Sequence, residues 1–394
     1  MILTKGQEEG LKIALDRYKT KEPYTVIAGY AGVGKSFLVS IIISALNIPQ
    51  EEVAYIAYTG KAALVLSNKG CPNATTAHKL LYKSILLPDG KYMHVPLEQL
   101  EKYYKVIVVD EVSMLPQDMW QLLLSHKIHV IALGDPGQLD PISGTNDILS
   151  HPHIFLTEIM RQSLDNEIIN LSMQIREGKP LENFKGKDIQ ILPKSSLNQG
   201  MLLWADQILV ATNNKRQQIN RAVKECLGKN PDMPEDGDKI ICTRNCWDII
   251  GSEGNPLVNG SIGTISNGYK DYFIPPKYIY DQHIDIFSCI FKAETGDTYN
   301  NINCDYYLLQ KGKTRMTDRI KYSLLKNKRT KFMLPQEFEY GYAITVNKSQ
   351  GSEWDKILIL EEDRFPFSKQ ERIKWLYTAA TRAAKKLVII KKED

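Results

Sequence analysis

Eight consecutive residues, Gly29, Tyr30, Ala31, Gly32, Val33, Gly34, Lys35 and Ser36, place glycine, lysine and serine at the spacing G-x-x-x-x-G-K-S. Glycines let a turn converge its backbone N–H groups on phosphate oxygens. A lysine placed next reaches the β- and γ-phosphates, and a serine hydroxyl ligates Mg²⁺. Ala31, Val33 and Phe37 lie in or beside that cradle. Asp110 and Glu111 form a carboxylate pair, one suited to holding a metal and the other to orienting and deprotonating a water. Gln138, in Gly134-Asp135-Pro136-Gly137-Gln138, carries an amide that could contact a γ-phosphate. Arg161 is either a surface cation or a charge donor to a phosphoryl transition state. Gln7, three residues after Thr4, is either half of a helix capping box or a reader of an adenine edge.

The elements that must position these groups are legible from pattern. Residues 24–28 are a β-branched apolar run, the pattern of a buried strand, and residues 37–46 are long enough for a buried helix. Strand, glycine turn and helix N-terminus together make an anion site. Further buried strands are expected at 53–58, 105–109 and 129–133. Thr59 and Lys61 follow the first of these, where parallel sheets bind ligands. They either grip phosphate or serve as a helix cap and a solvated lysine. His78 opens another helix without a partner at metal-ligand spacing, and a lone histidine of this kind is more often structural. Asp89-Gly90 between extended, aromatic-bearing flanks predicts a hairpin over residues 82–96 that projects from its domain.

Residues 176–198, rich in glycine, lysine and proline, read as a linker. A second strand–helix series begins at 207–211, with a helix to Cys226, and another strand is expected over 238–244. From 258 to about 332, short strands alternate with glycine and aromatic residues, which suggests a small antiparallel barrel inserted in the second domain. Its lysine- and arginine-rich tail, 311–331, faces either phosphate or only solvent. The α/β pattern then resumes to a final strand at 387–390.

At 394 residues, 43% hydrophobic, the chain is long enough for two or more domains with real cores. A net charge of +4 permits nucleic-acid binding without requiring it. Six scattered cysteines without zinc spacing read as free thiols in a reducing compartment. No signal-like or membrane-length apolar stretch is visible, so a soluble intracellular protein is expected.

The ordered set of motifs resembles the superfamily 1 helicases, within them the branch of the RecD and Dda helicases. The residues that carry the resemblance run nearly end to end. They are Gln7, G-Y-A-G-V-G-K-S at 29–36, A-Y-T-G-K-A-A at 57–63, T-A-H-K-L-L at 76–81 and V-V-D-E-V-S-M-L at 108–115. After these come G-D-P-G-Q-L-D-P-I at 134–142, M-R-Q at 160–162, V-N-G-S-I-G-T-I at 258–265, A-I-T-V-N-K-S-Q-G-S-E-W-D at 343–355 and Y-T-A-A-T-R-A at 377–383. The resemblance implies an α/β fold of two RecA-like P-loop NTPase domains with parallel sheets. The first would span 1–81 and 97–180 and carry the hairpin 82–96. The second would span 181–257 and 335–394 and carry an SH3-like barrel at 258–334.

The resemblance also implies ATP and Mg²⁺ as cofactors. Gln7 would read adenine, Lys35 and Ser36 would meet phosphate and metal, Asp110 the metal, Glu111 the attacking water, and Gln138 the γ-phosphate. Arg161 and Arg382 would be arginine fingers on opposite lobes. Thr59, Lys61, His78, Asn213, Lys348, Ser349, Gln350 and Glu353 would contact DNA or couple it to ATP, and Tyr92 or Met93 would wedge the duplex apart. The implied activity is 5′-to-3′ translocation on single-stranded DNA with unwinding. Single-stranded DNA and its junctions with duplex would be the partners, a single-stranded-DNA-binding protein or replisome component a further one, and a monomer the working form. The expected setting is the cytoplasm of a bacterial or phage-infected cell. Two rivals differ in class: a translocase that mainly displaces proteins, and a non-catalytic DNA-binding factor on a decayed fold. The presence of Lys35, Asp110, Glu111, Gln138, Arg161 and Arg382 argues against decay.

Overall fold

A computed structural model describes residues 3–72, 74–86, 92–140, 147–158, 166–326, 330, 333–363 and 368–392, with residues 84, 86 and 92 described in their backbone only. The chain divides into two compact units, Met1–Tyr82 with Pro96–Leu197 and Ser349–Asp394, and Lys83–Val95 with Asn198–Lys348.

The first unit is built on a parallel sheet in the order Thr75–Thr76, Val53–Ala57, Val106–Val109, His129–Gly134, Tyr24–Gly29, Ile154–Leu156. Its strands are apolar almost throughout because both faces are covered, as parallel sheets require. Successive residues alternate between two cores. Ile27, Val53, Val106, Val108, Ile131 and Leu133 pack with Leu38, Val39, Ile42 and Ile43 of the helix Lys35–Ala45. Val26, Ile56, Ile107, Val109 and Val130 pack on the other face with Leu81, Met119, Trp120 and Leu123. Helix Lys5–Lys19 starts at the expected capping box, Thr4 with Gln7.

A second group of strands in this unit corrects the expected linker. Ile189–Pro193 is a buried strand parallel to Ala383–Lys391, which pairs in parallel with Trp354–Leu360, while Phe184–Lys185 adds an antiparallel edge. The cause is local and tertiary together. Ile189 and Ile191 flank an outward Gln190, and the Glu167 carboxylate accepts the N–H groups of Lys187 (3.2 Å), Asp188 (2.8 Å) and Ile189 (3.2 Å). Those lysine-rich flanks hid a five-residue strand.

In the second unit, Gln207–Val210 pairs in parallel with Ala343–Thr345. Asn220, on helix Asn213–Cys226, caps that pairing by donating to the Tyr340 and Ala343 carbonyls and accepting the Ala343 N–H. A five-stranded antiparallel sheet runs Thr298–Asp305, Ile284–Ala293, Ile262–Phe273, Lys239–Cys242, Phe338–Tyr340. Gln336 then accepts from the Asp305 N–H (2.9 Å) and donates to the Asn303 carbonyl (2.7 Å), so the sheet's first and last strands meet. Phe287, Phe291, Tyr299 and Phe338 fill the interior.

Two details differ from the sequence reading. Lys239–Cys242, assigned to the motor series, belongs to this antiparallel sheet. The basic tail, 311–331, is helical over Asp318–Lys326, with Lys311 paired to Asp232 and Lys321 to Glu337. Tyr82–Leu86 and Tyr92–Pro96 form a two-stranded sheet, and the Asp89-Gly90 turn lies outside the described residues. All six cysteines are free thiols. Among the described residues no helix is long and apolar enough to cross a membrane.

Candidate active site

Strands Val106–Val109, His129–Gly134 and Tyr24–Gly29 are neighbours in one parallel sheet, so the residues that follow each emerge at the same carboxyl edge. Such an edge is where open parallel sheets place ligands. The phosphate-loop sequence leaves the last of these strands. Gly32 (φ 80°) and Gly34 (φ 78°) hold left-handed conformations that a side chain would strain. At Gly29 a Cβ would stand 2.7 Å from Val33 Cγ2 and 2.9 Å from the Leu156 carbonyl oxygen. Gly34 begins helix Lys35–Ala45 without any side-chain cap, so the first-turn amides face the loop as donors.

Lys35 Nζ lies back on the loop, donating to the carbonyls of Gly29 (2.7 Å) and Tyr30 (3.1 Å). Ser36 is exposed, Ala31 and Phe37 half-buried, and Val33 buried. Gln7 is buried: its Oε1 accepts the Thr4 N–H as the capping box demands, and its Nε2 donates to the Val33 carbonyl (3.2 Å). Cap and loop tether are therefore one side chain.

Asp110 and Glu111 follow Val109. The Glu111 N–H donates to Asp110 Oδ1 (2.9 Å), and Glu111 itself sits at φ 50°, an uncommon state for a non-glycine residue. Burial pushes the Asp110 carboxyl up to about 6, the Glu111 carboxylate adds to that rise, and Lys35 opposes it. A cation placed here relieves that charge. Among the described residues no three His, Cys, Asp or Glu gather as a self-sufficient metal cage. That donor set fits a Mg²⁺ ion held by one or two protein oxygens together with phosphates.

Asp135 follows Gly134 and is almost fully buried. It accepts the Gly137 N–H (2.9 Å) and the Tyr377 hydroxyl (2.7 Å). Burial raises its pKa, with Lys35 and these donors pulling the other way. Gln138 is buried, and among the described residues its Oε1 has no hydrogen-bond partner; the same holds for Ser113 Oγ. Both line a pocket with Asp135, Asp140 and Lys374. Two orphaned polar atoms beside a buried carboxylate are costly unless a ligand or water completes them.

Helix Lys369–Ala380 docks on this edge. Its Tyr377 hydroxyl accepts the Ala31 N–H (3.2 Å), Thr378 Oγ1 accepts the Leu139 N–H (3.0 Å), and Lys374 pairs with Asp140 (2.7 Å). In the division into compact units, Ser349–Asp394 belongs to the first. Arg382 is 7% exposed. It donates to Thr378 O (3.1 Å), Ser352 O (3.4 Å) and Thr381 Oγ1 (3.2 Å), and to no carboxylate among the described residues. Arg161 lies outside the described residues. Arg176, which sequence reasoning passed over, stacks 3.4 Å from the Tyr30 ring centroid. Asp135 and Tyr377 were also missed, though each sits inside a quoted motif.

The residues expected to meet DNA are spread over both units. Thr59 caps helix Gly60–Asn68 through the Ala62 N–H, and Lys61 lies over the Trp354 ring at 4.9 Å. His78 is exposed between Tyr58 and Tyr82. Ser349 and Gln350 are buried, and Gln350 Nε2 reaches the Leu139 carbonyl at 3.5 Å, while Glu353 is exposed. In the second unit Asn213 accepts from Arg216 (3.2 Å), and Lys348 pairs with Glu339 (2.7 Å). Met93 is exposed on its strand, and the Tyr92 side chain is outside the described set.

The AAA domain family matches residues 3–190, and the UvrD-like helicase C-terminal domain family matches residues 340–390. The ATP-dependent DNA helicase dda of Enterobacteria phage T4 is 24% identical over 367 residues, 76% of this chain and 82% of that protein. The ATP-dependent RecD2 DNA helicase of Deinococcus radiodurans is 25% identical over 389 residues, 91% of this chain and 45% of that protein. The fold is similar to a Pif1 helicase from Bacteroides solved in complex with ADP-AlF3 and single-stranded DNA. That similarity has a TM-score of 0.56 at 16% identity, and covers 100% of this chain and 94% of the other.

Proposed function

Because the chain belongs to the superfamily 1 helicases, we propose that its carboxyl-edge site hydrolyses ATP to drive movement along single-stranded DNA, 5′ to 3′, with unwinding of duplex ahead. The observation that carries this reading is the shared edge: phosphate loop, carboxylate pair and Gln138 leave three adjacent parallel strands at one end. Around that edge the buried Arg382 lacks a carboxylate partner among the described residues.

In this reading the loop amides and Lys35 bind the β- and γ-phosphates. The lysine exchanges two loop carbonyls for phosphate oxygens. Glu111 accepts the proton of the attacking water, and its constrained backbone fixes where that carboxylate points. Lys35, Arg161 and Arg382 supply positive charge as it develops on the transferring phosphoryl group, the main catalytic demand of such a reaction. Gln138 would donate its amide Nε2–H to the γ-phosphate, leaving its Oε1, without a partner among the described residues, to accept from the attacking water. Gln7, the proposed adenine reader, is buried with both ends of its amide engaged by Thr4 and Val33, so contact with a base requires it to release one of them. Ser36 and Asp110 would hold Mg²⁺, which supplies charge neutralisation to the β- and γ-oxygens.

The DNA-facing residues divide by chemistry. Lys61 and Lys348 suit phosphate, Thr59, Asn213 and Ser349 suit backbone hydrogen bonds, and His78 with its tyrosine neighbours suits a base face. The two-stranded sheet at 82–96, with exposed Met93, would act as the separating pin. The antiparallel sheet that meets itself at Gln336 would be the SH3-like insert.

The test is hydrolysis of ATP with and without single-stranded DNA. We expect DNA to stimulate the wild type and Lys35→Ala to abolish turnover. Equal, unstimulated rates in both would remove this reading.

A further inference from the structure

The Tyr377 hydroxyl spends both its hydrogen-bonding capacities on the nucleotide edge: it donates to Asp135 Oδ2 (2.7 Å) and accepts the Ala31 N–H (3.2 Å). The ring is 1% exposed and lies flush on Gly137, where a Cβ would come within 2.9 Å of it. Glycine at that place lets the ring approach, so the hydroxyl has one available position. Its neighbour Thr378 holds the Leu139 N–H, and Lys374, three residues earlier, holds Asp140. One helix face thus grips residues 135–140, the stretch that contains the Gln138 amide oxygen, unpartnered among the described residues. Five residues past Tyr377 stands Arg382, with no counter-ion among the described residues.

We propose that Tyr377 is a positioning residue for hydrolysis: its hydroxyl ties the Ala31 amide of the phosphate loop to Asp135, so that Gln138 and the helix leading to Arg382 keep register with the bound γ-phosphate. This rests on the reading of the edge as an ATP-hydrolysis site and adds a residue to it. Tyr377 does not touch the reacting atoms; it transmits the loop's position to groups that do. A bridge of two bonds, one to a charged acceptor, is strong enough to set such a register. Its loss misplaces the charge donors while leaving the phosphate cradle, so turnover suffers and binding does not.

Tyr377→Phe keeps the ring against Gly137 and deletes only the hydroxyl. The experiment measures DNA-stimulated kcat and KM for ATP, with the Kd of a fluorescent N-methylanthraniloyl ATP analogue, in wild type and variant. The expected result is a kcat about tenfold lower or more, with KM and Kd within about threefold of wild type. A kcat within twofold of wild type would overturn the proposal and leave the ATPase reading intact. A fall in kcat matched by an equal weakening of analogue binding would also overturn it, since that assigns the tyrosine to loop folding. A wild type without any DNA-stimulated turnover would overturn the site reading itself, and this proposal with it.

Discussion

Glu111 shows what one residue does here. Its left-handed backbone costs about 1–3 kcal/mol for a non-glycine residue, and such strain persists only where the surroundings impose it. Glutamine has the same shape and tolerates the same backbone, so Glu111→Gln isolates the carboxylate. We expect ATP binding within about threefold of wild type and DNA-stimulated turnover lower by about a hundredfold or more, the range for loss of a general base. Equilibrium binding of the fluorescent analogue and steady-state hydrolysis check the two halves. Lys35, Asp110, Glu111 and Gln138 were legible in sequence because each sits in a short motif behind a recognisable strand. Tyr377 and Asp135 were not, because their partnership joins residues 242 positions apart and exists only once the helix has docked. The capping role of Gln7 was legible in sequence; its tether to the Val33 carbonyl was not, because it joins residues 26 positions apart.

At the scale of elements, Glu339 ties three pieces of the second unit together. Strand Phe338–Tyr340 presents it to Arg216 of helix Asn213–Cys226 through two bonds (2.8 and 3.0 Å) and to Lys348 of helix Val346–Ser349. Burial alone would raise its pKa, but Lys348 and Arg216 outweigh burial and hold the carboxyl below its ordinary value. A depressed folded-state pKa means stability that is present above the unfolded pKa and lost as pH falls through the folded one. We therefore expect Glu339→Gln to cost about 3 kcal/mol at pH 7, the low end for truncating a buried ion pair because the Lys348 side chain keeps 33% exposure. Urea unfolding at pH 7 and below pH 4 should show the gap between wild type and variant narrowing in acid. A gap that stays constant across that range would assign the loss to packing. Elements with long apolar runs, such as the strands of the first sheet, were legible. Ile189–Pro193 was not, because a five-residue strand flanked by lysines carries too little pattern and its partner strand lies almost 200 residues downstream.

At the scale of the molecule, a net charge of +4 spread over 394 residues gives no strong general attraction to a polyanion. Binding must come from placed groups instead, and phosphate-backbone contacts make it salt-sensitive and weakly sequence-specific. The proposed direction of movement is encoded by no single side chain and rests on the resemblance of the motifs. The most direct measurement is therefore unwinding of a duplex bearing either a 5′ or a 3′ single-stranded tail, with ATP, beside Glu111→Gln. The account predicts strand separation from the 5′-tailed substrate only, abolished in the variant. Separation from the 3′ tail alone, or hydrolysis with neither substrate opened, would contradict it.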